Sequence, residues 1–369
     1  SEKEIYYICF SSEGLHFDKI INNVSLRKEI AQLNQQITER SPSYINTAQK
    51  VYSFLKHSLF QGTTKELTII PDGFLHYLSF DALITHKEGN SVNFLINTAT
   101  INYSPSISYL LFEHAQLAGE VKDEIMIYAP QIGDPHNKSV SKEDRSKLLT
   151  ILPHTNAEAN LIASLYNTQP TLGIAATETD FKDHAQKVRI IHLATHALVQ
   201  EENPNQSRFL LQEDSINDGY LYAYELYNMR FAAHLVGLSA CNTGVGSFQD
   251  GEGVMSLARA FIYSGVRDIM TSLWSVPDRS TSEIMSVFYQ NIKSGQGNAE
   301  ALRNAKLEYL QTSDDITSNP YYWAGFVLVG KSEGTDGPIN WATYAMISLL
   351  LFLFVFYSVK SFLKRGSRS

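Results

Sequence analysis

The chain of 369 residues has few of the features that mark disulfide, metal or cofactor proteins. Its only cysteines, Cys9 and Cys241, cannot form a disulfide framework in so long a chain. It contains no Cys-x-x-Cys pair, no His-Glu-x-x-His and no EF-hand loop, so the sequence predicts no metal site. The glycines of residues 244–253 lack the Gly-Lys-Ser/Thr ending of a phosphate cradle, and we predict no cofactor.

Positive charge is also scarce. The chain has 30 lysines and arginines against 38 acidic residues, and its formal net charge is -8. No basic cluster precedes the C-terminal tail, so we do not expect nucleic acid as a direct partner. Low-complexity runs are absent, and 44% of the residues are hydrophobic, which predicts a folded core of substantial size.

Two short segments end apolar strand patterns with reactive side chains. Residues 189–196 read Arg-Ile-Ile-His-Leu-Ala-Thr-His and end at His196, and residues 234–241 lead through a second apolar run to Cys241. Parallel strands carry their carboxyl ends to one edge of a sheet, where ligands bind in the crevice beyond the strand tips. We therefore expect His196 and Cys241 to share that edge.

The pairing of an imidazole with a thiol has a chemical purpose. A thiol with a pKa of about 8.5 is only slightly ionised at neutral pH, and an imidazole that accepts its proton makes the attacking thiolate. Taken singly, each residue has a structural alternative. A histidine at a strand end can be a satisfied core group, and a free cysteine often packs as a small hydrophobic residue.

Together with other ordered motifs, these segments make the chain resemble the CHAT domain, a branch of the caspase, separase and clostripain group of cysteine peptidases found with tetratricopeptide repeats. The resemblance covers roughly residues 5–330. The further motifs that carry it are Ile-Ile-Pro-Asp-Gly-Phe-Leu-His-Tyr-Leu-Ser-Phe-Asp-Ala-Leu at 69–83, Tyr-Ser-Pro-Ser at 103–106, Gly-Glu-Gly-Val-Met-Ser-Leu-Ala-Arg-Ala-Phe at 251–261, Ser-Leu-Trp-Ser-Val-Pro-Asp at 272–278 and Tyr-Trp-Ala-Gly-Phe-Val-Leu-Val-Gly at 322–330. The histidine precedes the cysteine by 45 residues, close to the spacing of about 50 in caspase-type enzymes.

This resemblance implies roles for particular residues. Cys241 is implied as the nucleophile, and His196 as the general base and later the acid that protonates the leaving amine. The backbone N–H groups of Cys241 and Ala197 are implied as the oxyanion hole. The family usually has glycine after this histidine; Ala197 keeps the N–H but restricts φ, which can aim the donor differently.

The pattern along the chain predicts alternating strands and helices. Residues 4–10 and 15–21 predict a hairpin, helical patterns follow over about 26–59, and apolar strand candidates recur at 67–70, 125–128, 190–194, 235–239, 269–273 and 326–329. Because helical stretches separate most of these strands, we expect βαβ units and a largely parallel sheet. The resemblance implies an α/β fold, a caspase-like three-layer αβα sandwich. Residues 1–60 are predicted to form an accessory region, and residues 61–331 the catalytic core.

The loop after the predicted strand at 269–273 is a candidate for substrate binding. Asp278 could line the pocket for the residue before the scissile bond, where a carboxylate favours lysine or arginine. Asp278 also directly precedes a helical pattern, where it could serve as the N-cap. Trp274 also has two interpretations: it could line the same specificity pocket, or it could pack in the core.

The C-terminal region has a different composition. Residues 337–359 contain no charged side chain over 23 positions, and about 20 apolar residues suffice to cross a bilayer. We therefore predict a linker at 332–338, a transmembrane helix at 339–359 and a basic tail at 360–369, with a buried core helix as the alternative. The tail suggests a single-pass membrane protein with a cytoplasmic C-terminus.

Two functions follow from the sequence. The first is a membrane-anchored cysteine endopeptidase that cleaves a protein or peptide substrate through a thioester acyl-enzyme. The second is a catalytically silent CHAT-type interaction or signalling module, motivated by Ala197. Because the chain starts at Ser1 on a strand that the family normally precedes with more chain, the resemblance also implies an upstream repeat domain.

Overall fold

In the computed structural model, the described part of the chain comprises residues 4–11, 14–21, 23–59, 66–89, 91–111, 123–130, 155–200, 202–239 and 255–331. Its strands are β1 (Glu4–Ser11), β2 (Gly14–Ile21), β3 (Glu66–Ile69), β4 (Ile84–Glu88), β5 (Ser91–Phe94), β6 (Thr100–Tyr103), β7 (Asp123–Ala129), β8 (Thr171–Leu172), β9 (Val188–Leu193), β10 (Ala197–Leu198), β11 (Arg208–Leu210), β12 (Tyr220–Tyr222), β13 (Leu235–Leu238), β14 (Asp268–Ser272) and β15 (Phe326–Gly330). Its helices are α1 (Asn23–Thr38), α2 (Tyr44–Leu59), α3 (Ile107–Leu111), α4 (Thr155–Tyr166), α5 (Glu178–His184), α6 (Ala223–Leu226), α7 (Met255–Tyr263), α8 (Asp278–Lys293) and α9 (Asn298–Thr312). The predicted hairpin is confirmed as β1 and β2, and each predicted strand has its counterpart.

The main sheet has eight strands in the order β3-β6-β15-β14-β13-β9-β7-β8. The five strands from β14 to β8 are parallel, as the sequence predicted. Strand β15 is antiparallel to β14, and β6 and β3 follow the direction of β15. The reversal has a simple cause, since two consecutive helices, α8 and α9, connect β14 to β15. The second helix returns the chain to the carboxyl end of β14 before β15 begins.

The strand order reverses next to β7. From β7 the chain goes to β8 on one side, then crosses to β9 on the other side and continues outward to β13 and β14. In open parallel sheets, such a switch point leaves a crevice beyond the carboxyl ends of the two strands, and ligands bind there. The carboxyl ends of β7 and β9 are therefore the expected position of a site.

Helices pack on both faces of the sheet. On one face, His192 of β9 lies between two helices, with Nε2 3.0 Å from Glu158 Oε1 on α4 and Nδ1 2.9 Å from the Tyr289 hydroxyl on α8. On the other face, the ring of Tyr128 on β7 packs edge-on against Phe181 of α5, with the ring centroids 5.7 Å apart. The apolar side chains between these layers form one continuous hydrophobic core.

The face with α4 and α8 is closely packed at Gly237 of β13. A Cβ atom at this position would lie 2.2 Å from the Tyr289 hydroxyl and 3.1 Å from His192 Nδ1. We expect Gly237→Ala to lower the free energy of unfolding by about 1–3 kcal/mol, because an overpacked core must shift its neighbours. Denaturant unfolding measures this cost. Repeating the substitution in a Tyr289→Phe background removes the clashing oxygen and should reduce the cost; equal costs in the two backgrounds would contradict the packing argument.

A buried ion pair joins three distant parts of the chain. Lys306 of α9 is 1% exposed, and its Nζ donates to Asp81 Oδ2 at 2.6 Å and to the backbone oxygen of Phe326 in β15. Nearby, the Tyr103 hydroxyl donates to Leu78 O at 3.0 Å. These contacts fasten the motif at residues 69–83 to the centre of the sheet.

Several tyrosines of this core resist ionisation. Burial raises the pKa of Tyr44 to about 12 and holds those of Tyr103 and Tyr289 well above the ordinary value of 10.0. Above pH 10 the unfolded chain loses these protons while the folded chain keeps them, so the free energy of unfolding falls as the pH rises. We expect a loss of about 1.4 kcal/mol per pH unit for each such tyrosine. Urea unfolding at pH 9, 10 and 11 tests this, and Tyr289→Phe should give a shallower slope; a stability that does not change over this range would contradict the expectation.

The structure contradicts the predicted membrane location. Among the described residues, no helix combines the length and the apolar character needed to cross a bilayer. Helices α1 and α8 have 16 residues each and contain charged side chains, whereas a span needs about 20 mostly apolar residues. Residues 339–359, on which the prediction was based, lie outside the described residues together with the basic tail. We therefore withdraw the membrane partner, the anchor and the orientation inferred from the tail.

Candidate functional site

The carboxyl ends of three neighbouring strands are tied together where the sequence predicted the site. Beyond the end of β9, Ala194 N donates to Tyr128 O of β7 at 2.8 Å. Beyond the end of β13, Ser239 N donates to Leu193 O of β9 at 3.2 Å. The hydrogen-bond pairing therefore continues one residue past the formal ends of the strands, to Ala194 and Ser239.

His196 follows β9, and the chain at this point is bound to Leu210 of β11. The preceding residue, Thr195, donates its hydroxyl proton to Leu210 O, and Leu210 N donates to His196 O at 3.0 Å. The side chain of His196 is only 1% exposed. His196 thus lies buried at the predicted sheet edge.

Ala197 starts β10, the first strand of a small three-stranded antiparallel sheet ordered β10-β11-β12. It lies opposite Phe209, while the neighbouring residue His196 accepts the hydrogen bond from Leu210. In an antiparallel ladder, hydrogen-bonded and non-bonded pairs alternate, so the Ala197 N–H points away from β11. This direction suits a donor that must face a ligand.

Alanine fits at position 197 without backbone strain. Among the described residues other than glycine, only Arg40 and Asn167 have a positive φ. Ala197 therefore adopts an ordinary backbone conformation, which does not require the glycine that the family usually has here. The alanine therefore requires no positive φ at this position.

Cys241 lies outside the described residues, as do all residues from 240 to 254. The last described residue before it is Ser239, which is 6% exposed at the carboxyl end of β13. The predicted roles of the Cys241 thiol and of its backbone N–H remain predictions.

Trp274 and Asp278 follow β14 at the same sheet edge. The Trp274 side chain is 8% exposed, and its Nε1 donates to Tyr321 O at 2.9 Å. This contact favours the packing interpretation of the tryptophan. Asp278 is the first residue of α8 and Pro277 occupies the N-cap position, so the cap prediction was wrong by one residue. The carboxylate still lies in the first turn, where the helix dipole stabilises negative charge, and its role in a substrate pocket remains a prediction.

His192 lies inside β9, and the structure shows its partners. Its ring is completely buried between Glu158 and Tyr289 and packs edge-on against the tyrosine ring, with the ring centroids 5.3 Å apart. Glu158 lies 34 residues earlier in the sequence and no local pattern connects the two residues. Sequence reasoning therefore missed this buried polar cluster.

One motif in the chain is misleading. Residues 325–332 read Gly-Phe-Val-Leu-Val-Gly-Lys-Ser, which matches the spacing of a phosphate-binding P-loop. A P-loop connects a strand to a helix, whereas most of this segment forms β15 itself, paired along its whole length with β14. The match therefore has no phosphate-binding meaning.

Comparisons with known proteins agree on one family. The CHAT domain family model matches residues 46–331. Tetratricopeptide repeat protein 28 of Homo sapiens is 25% identical over 325 residues, which cover 78% of this chain and 13% of that protein. The protein of the same name from Mus musculus gives the same identity and coverage. The chain thus spans only a small part of the curated relatives that it matches.

Solved structures give weaker likenesses. The separase-securin complex of Saccharomyces cerevisiae has a TM-score of 0.45 and 12% identity, covering 84% of this chain and 22% of that chain. The Arg-specific cysteine proteinase gingipain R has a TM-score of 0.41 and 14% identity, covering 83% of this chain and 74% of that chain. Scores below 0.5 are too low to support an argument about mechanism.

Proposed function

Because the chain belongs to the CHAT domain family, we propose that it is a caspase-like cysteine endopeptidase with Cys241 as the nucleophile and His196 as the base. We assign the catalytic core to residues 61–331, arranged as a caspase-like three-layer αβα sandwich, and an accessory region to residues 1–60. The substrate class is a protein or peptide that carries the scissile bond.

One observation carries this proposal: the pairing register of β13 with β9. Every pair in this register differs by 45 in residue number, the last being Leu238 opposite Leu193. The hydrogen bond from Ser239 N to Leu193 O extends the pairing beyond the strands. His196 and Cys241 also differ by 45, so each lies two residues beyond the pair formed by Ala194 and Ser239. Two residues of chain span at most about 7 Å, which supports a position of the imidazole within reach of the thiol.

The chemistry then follows the order of a nucleophilic mechanism. His196 removes the thiol proton, and the Cys241 thiolate attacks the carbonyl carbon of the scissile bond, moving the carbonyl electrons onto oxygen. The N–H groups of Ala197 and Cys241 stabilise that oxyanion. When the intermediate collapses, the C–N bond breaks and the imidazolium gives its proton to the leaving amine. Water, deprotonated by His196, then attacks the thioester, and the acid product leaves with the thiol restored.

Covalent labelling tests the proposal directly. We expect a panel of peptide electrophiles with different side chains to modify Cys241, with the adduct located by mass spectrometry of the intact chain and its fragments. Cys9 provides an internal control, because it is a free and partly exposed thiol in the same molecule. Modification confined to Cys9 or equal at both sites would contradict the activation of Cys241.

A partner is suggested by the curated relatives. Their name places tetratricopeptide repeats in proteins of which this chain spans 13%. We propose that an upstream repeat domain supplies recognition of the substrate or of a regulator. Pull-down of a peptide substrate with and without the repeat-containing sequence tests whether the repeats supply this recognition.

A second function has one observation in its favour. The side chain of His196 is only 1% exposed, so in this conformation the imidazole is closed to a substrate. A CHAT-type interaction or signalling module without catalysis accounts for such a site. It predicts normal cellular function of Cys241→Ala, so loss of function in that variant, with the fold intact, argues against it.

A further inference from the structure

Ser239 is a buried polar residue with no evident structural task. Its side chain is 6% exposed at the carboxyl end of β13, and its hydroxyl has no hydrogen-bond partner within the described part of the chain. Leaving a buried hydroxyl unpaired is unfavourable, and native proteins contain few such groups. An unpaired buried group that is present in a native protein often has a function in another state, such as the substrate complex.

The register determines what Ser239 can reach. Its backbone N–H bonds to Leu193 O, so Ser239 lies opposite Ala194. His196 is two residues beyond Ala194, past the end of the ladder, where Thr195 forms a bend and His196 O accepts from Leu210 N. Two residues of chain span at most about 7 Å, so the imidazole starts close to the residue opposite Ser239.

We propose that Ser239 is a positioning residue for His196, whose ring N–H its hydroxyl oxygen accepts as a hydrogen bond when substrate is bound. This inference rests on the proposed peptidase function. The other ring nitrogen of His196 would then face the thiol of Cys241. The serine would occupy the place that a third orienting group holds in triads of nucleophile, base and orienter.

A hydrogen bond that forms only in the substrate complex is consistent with an unpaired hydroxyl in the resting structure. Catalytic hydrogen bonds are often long or poorly aligned without substrate and tighten when it binds. The bond fixes the tautomer and orientation of the imidazole, and it favours the charged ring that forms after proton transfer. Ser239 thus acts through His196 and touches no reacting atom.

Kinetics of Ser239→Ala in the full chain tests the inference. We expect kcat for a peptide substrate to fall about 10- to 100-fold with little change in KM, since an orienting group supplies part of the roughly 10²–10⁴-fold gained from acid–base catalysis. The rate of Cys241 alkylation at neutral pH should fall as well. Thermal stability should stay equal or rise, because the removed hydroxyl has no partner in the resting protein. Ser239→Thr keeps the oxygen and should restore most of kcat.

Ser264→Ala is the matched control. Ser264 is fully buried, and its hydroxyl donates to Ala260 O at 2.8 Å and to Leu226 O. Removing this satisfied hydroxyl should lower thermal stability and leave kcat and the alkylation rate near those of the wild type. The two serines are therefore expected to give opposite patterns.

The outcomes distinguish a failure of the positioning role of Ser239 from a failure of the proposed peptidase function. If wild-type protein cleaves peptides and Ser239→Ala has the same kcat and alkylation rate, the positioning role is overturned while the peptidase survives. The role is also overturned if Ser239→Ala loses stability as Ser264→Ala does, or if threonine fails to restore kcat. A wild-type chain that neither cleaves peptides nor labels at Cys241 overturns the proposed function, and the positioning role with it.

Discussion

Replacing Cys241 with alanine is expected to lower the rate of peptide cleavage by roughly 10⁴-fold or more. The thiol supplies the only covalent intermediate in the proposed mechanism, so its loss leaves substrate binding and the oxyanion donors without a nucleophile. Turnover of the peptide that labels Cys241 best, followed by chromatography, measures the effect. Cys9→Ala is the matched control, since it removes the other thiol of the chain and should leave the rate unchanged.

The same experiment with His196 tests the pairing. His196→Ala should cause a loss of similar size, and the double variant should lose no more than either single variant, because members of one catalytic unit are strongly non-additive. Circular dichroism must show that all three variants are folded. Full cleavage by folded Cys241→Ala would eliminate the dyad, and independent, multiplying losses would show that the two residues do not act together.

The second large effect is expected at Lys306. Lys306→Met should lower the free energy of unfolding by about 3–5 kcal/mol, because it leaves the carboxylate of Asp81 buried without its counter-charge. It also removes the hydrogen bond to Phe326 O. Urea unfolding gives the value, and adding Asp81→Asn should recover part of the loss by removing the stranded charge. A double variant that is as unstable as the sum of the single variants would contradict this explanation.

A surface pair in the same chain provides the comparison. Arg279 Nε lies 2.9 Å from Glu283 Oε1, and the two side chains are 88% and 47% exposed. Arg279→Met removes this ion pair and is expected to cost less than about 1 kcal/mol, since water screens the charges and solvates the partner left behind. The contrast between Lys306 and Arg279 therefore isolates the effect of burial.

Much of the sheet could be predicted because its strands are short apolar runs. β13 is a continuous apolar segment and β9 is largely apolar apart from Arg189 and His192, as expected for strands covered on both faces, and these short runs were sufficient to find them. The antiparallel direction of β15 was not predictable in this way. It depends on the number of helices between β14 and β15, and apolar periodicity carries no information about strand direction.

The sequence predicted which residues form the candidate site, but not how buried they are or which residues contact them. His196 and Ala197 lie at the sheet edge where the motif placed them, yet His196 is buried and its backbone bonds to β11 of a small sheet that no pattern indicated. The partner of His192 is another example, since Glu158 reaches it from a helix far away in sequence. Burial and long-range polar contacts arise from tertiary packing, which a single sequence does not display.

The constant offset between β9 and β13 also sets limits on how the gene can vary. A residue inserted within β13 would break this offset and turn the side chains beyond it to the opposite face of the sheet, because neighbouring residues of a strand alternate in direction. Residues added to the surface turn at 213–218 leave both strands intact, because the pairing is set within the strands. Length variation among natural homologues should therefore occur mainly in that turn, and the stretch from Leu235 to Ser239 should keep its number of residues.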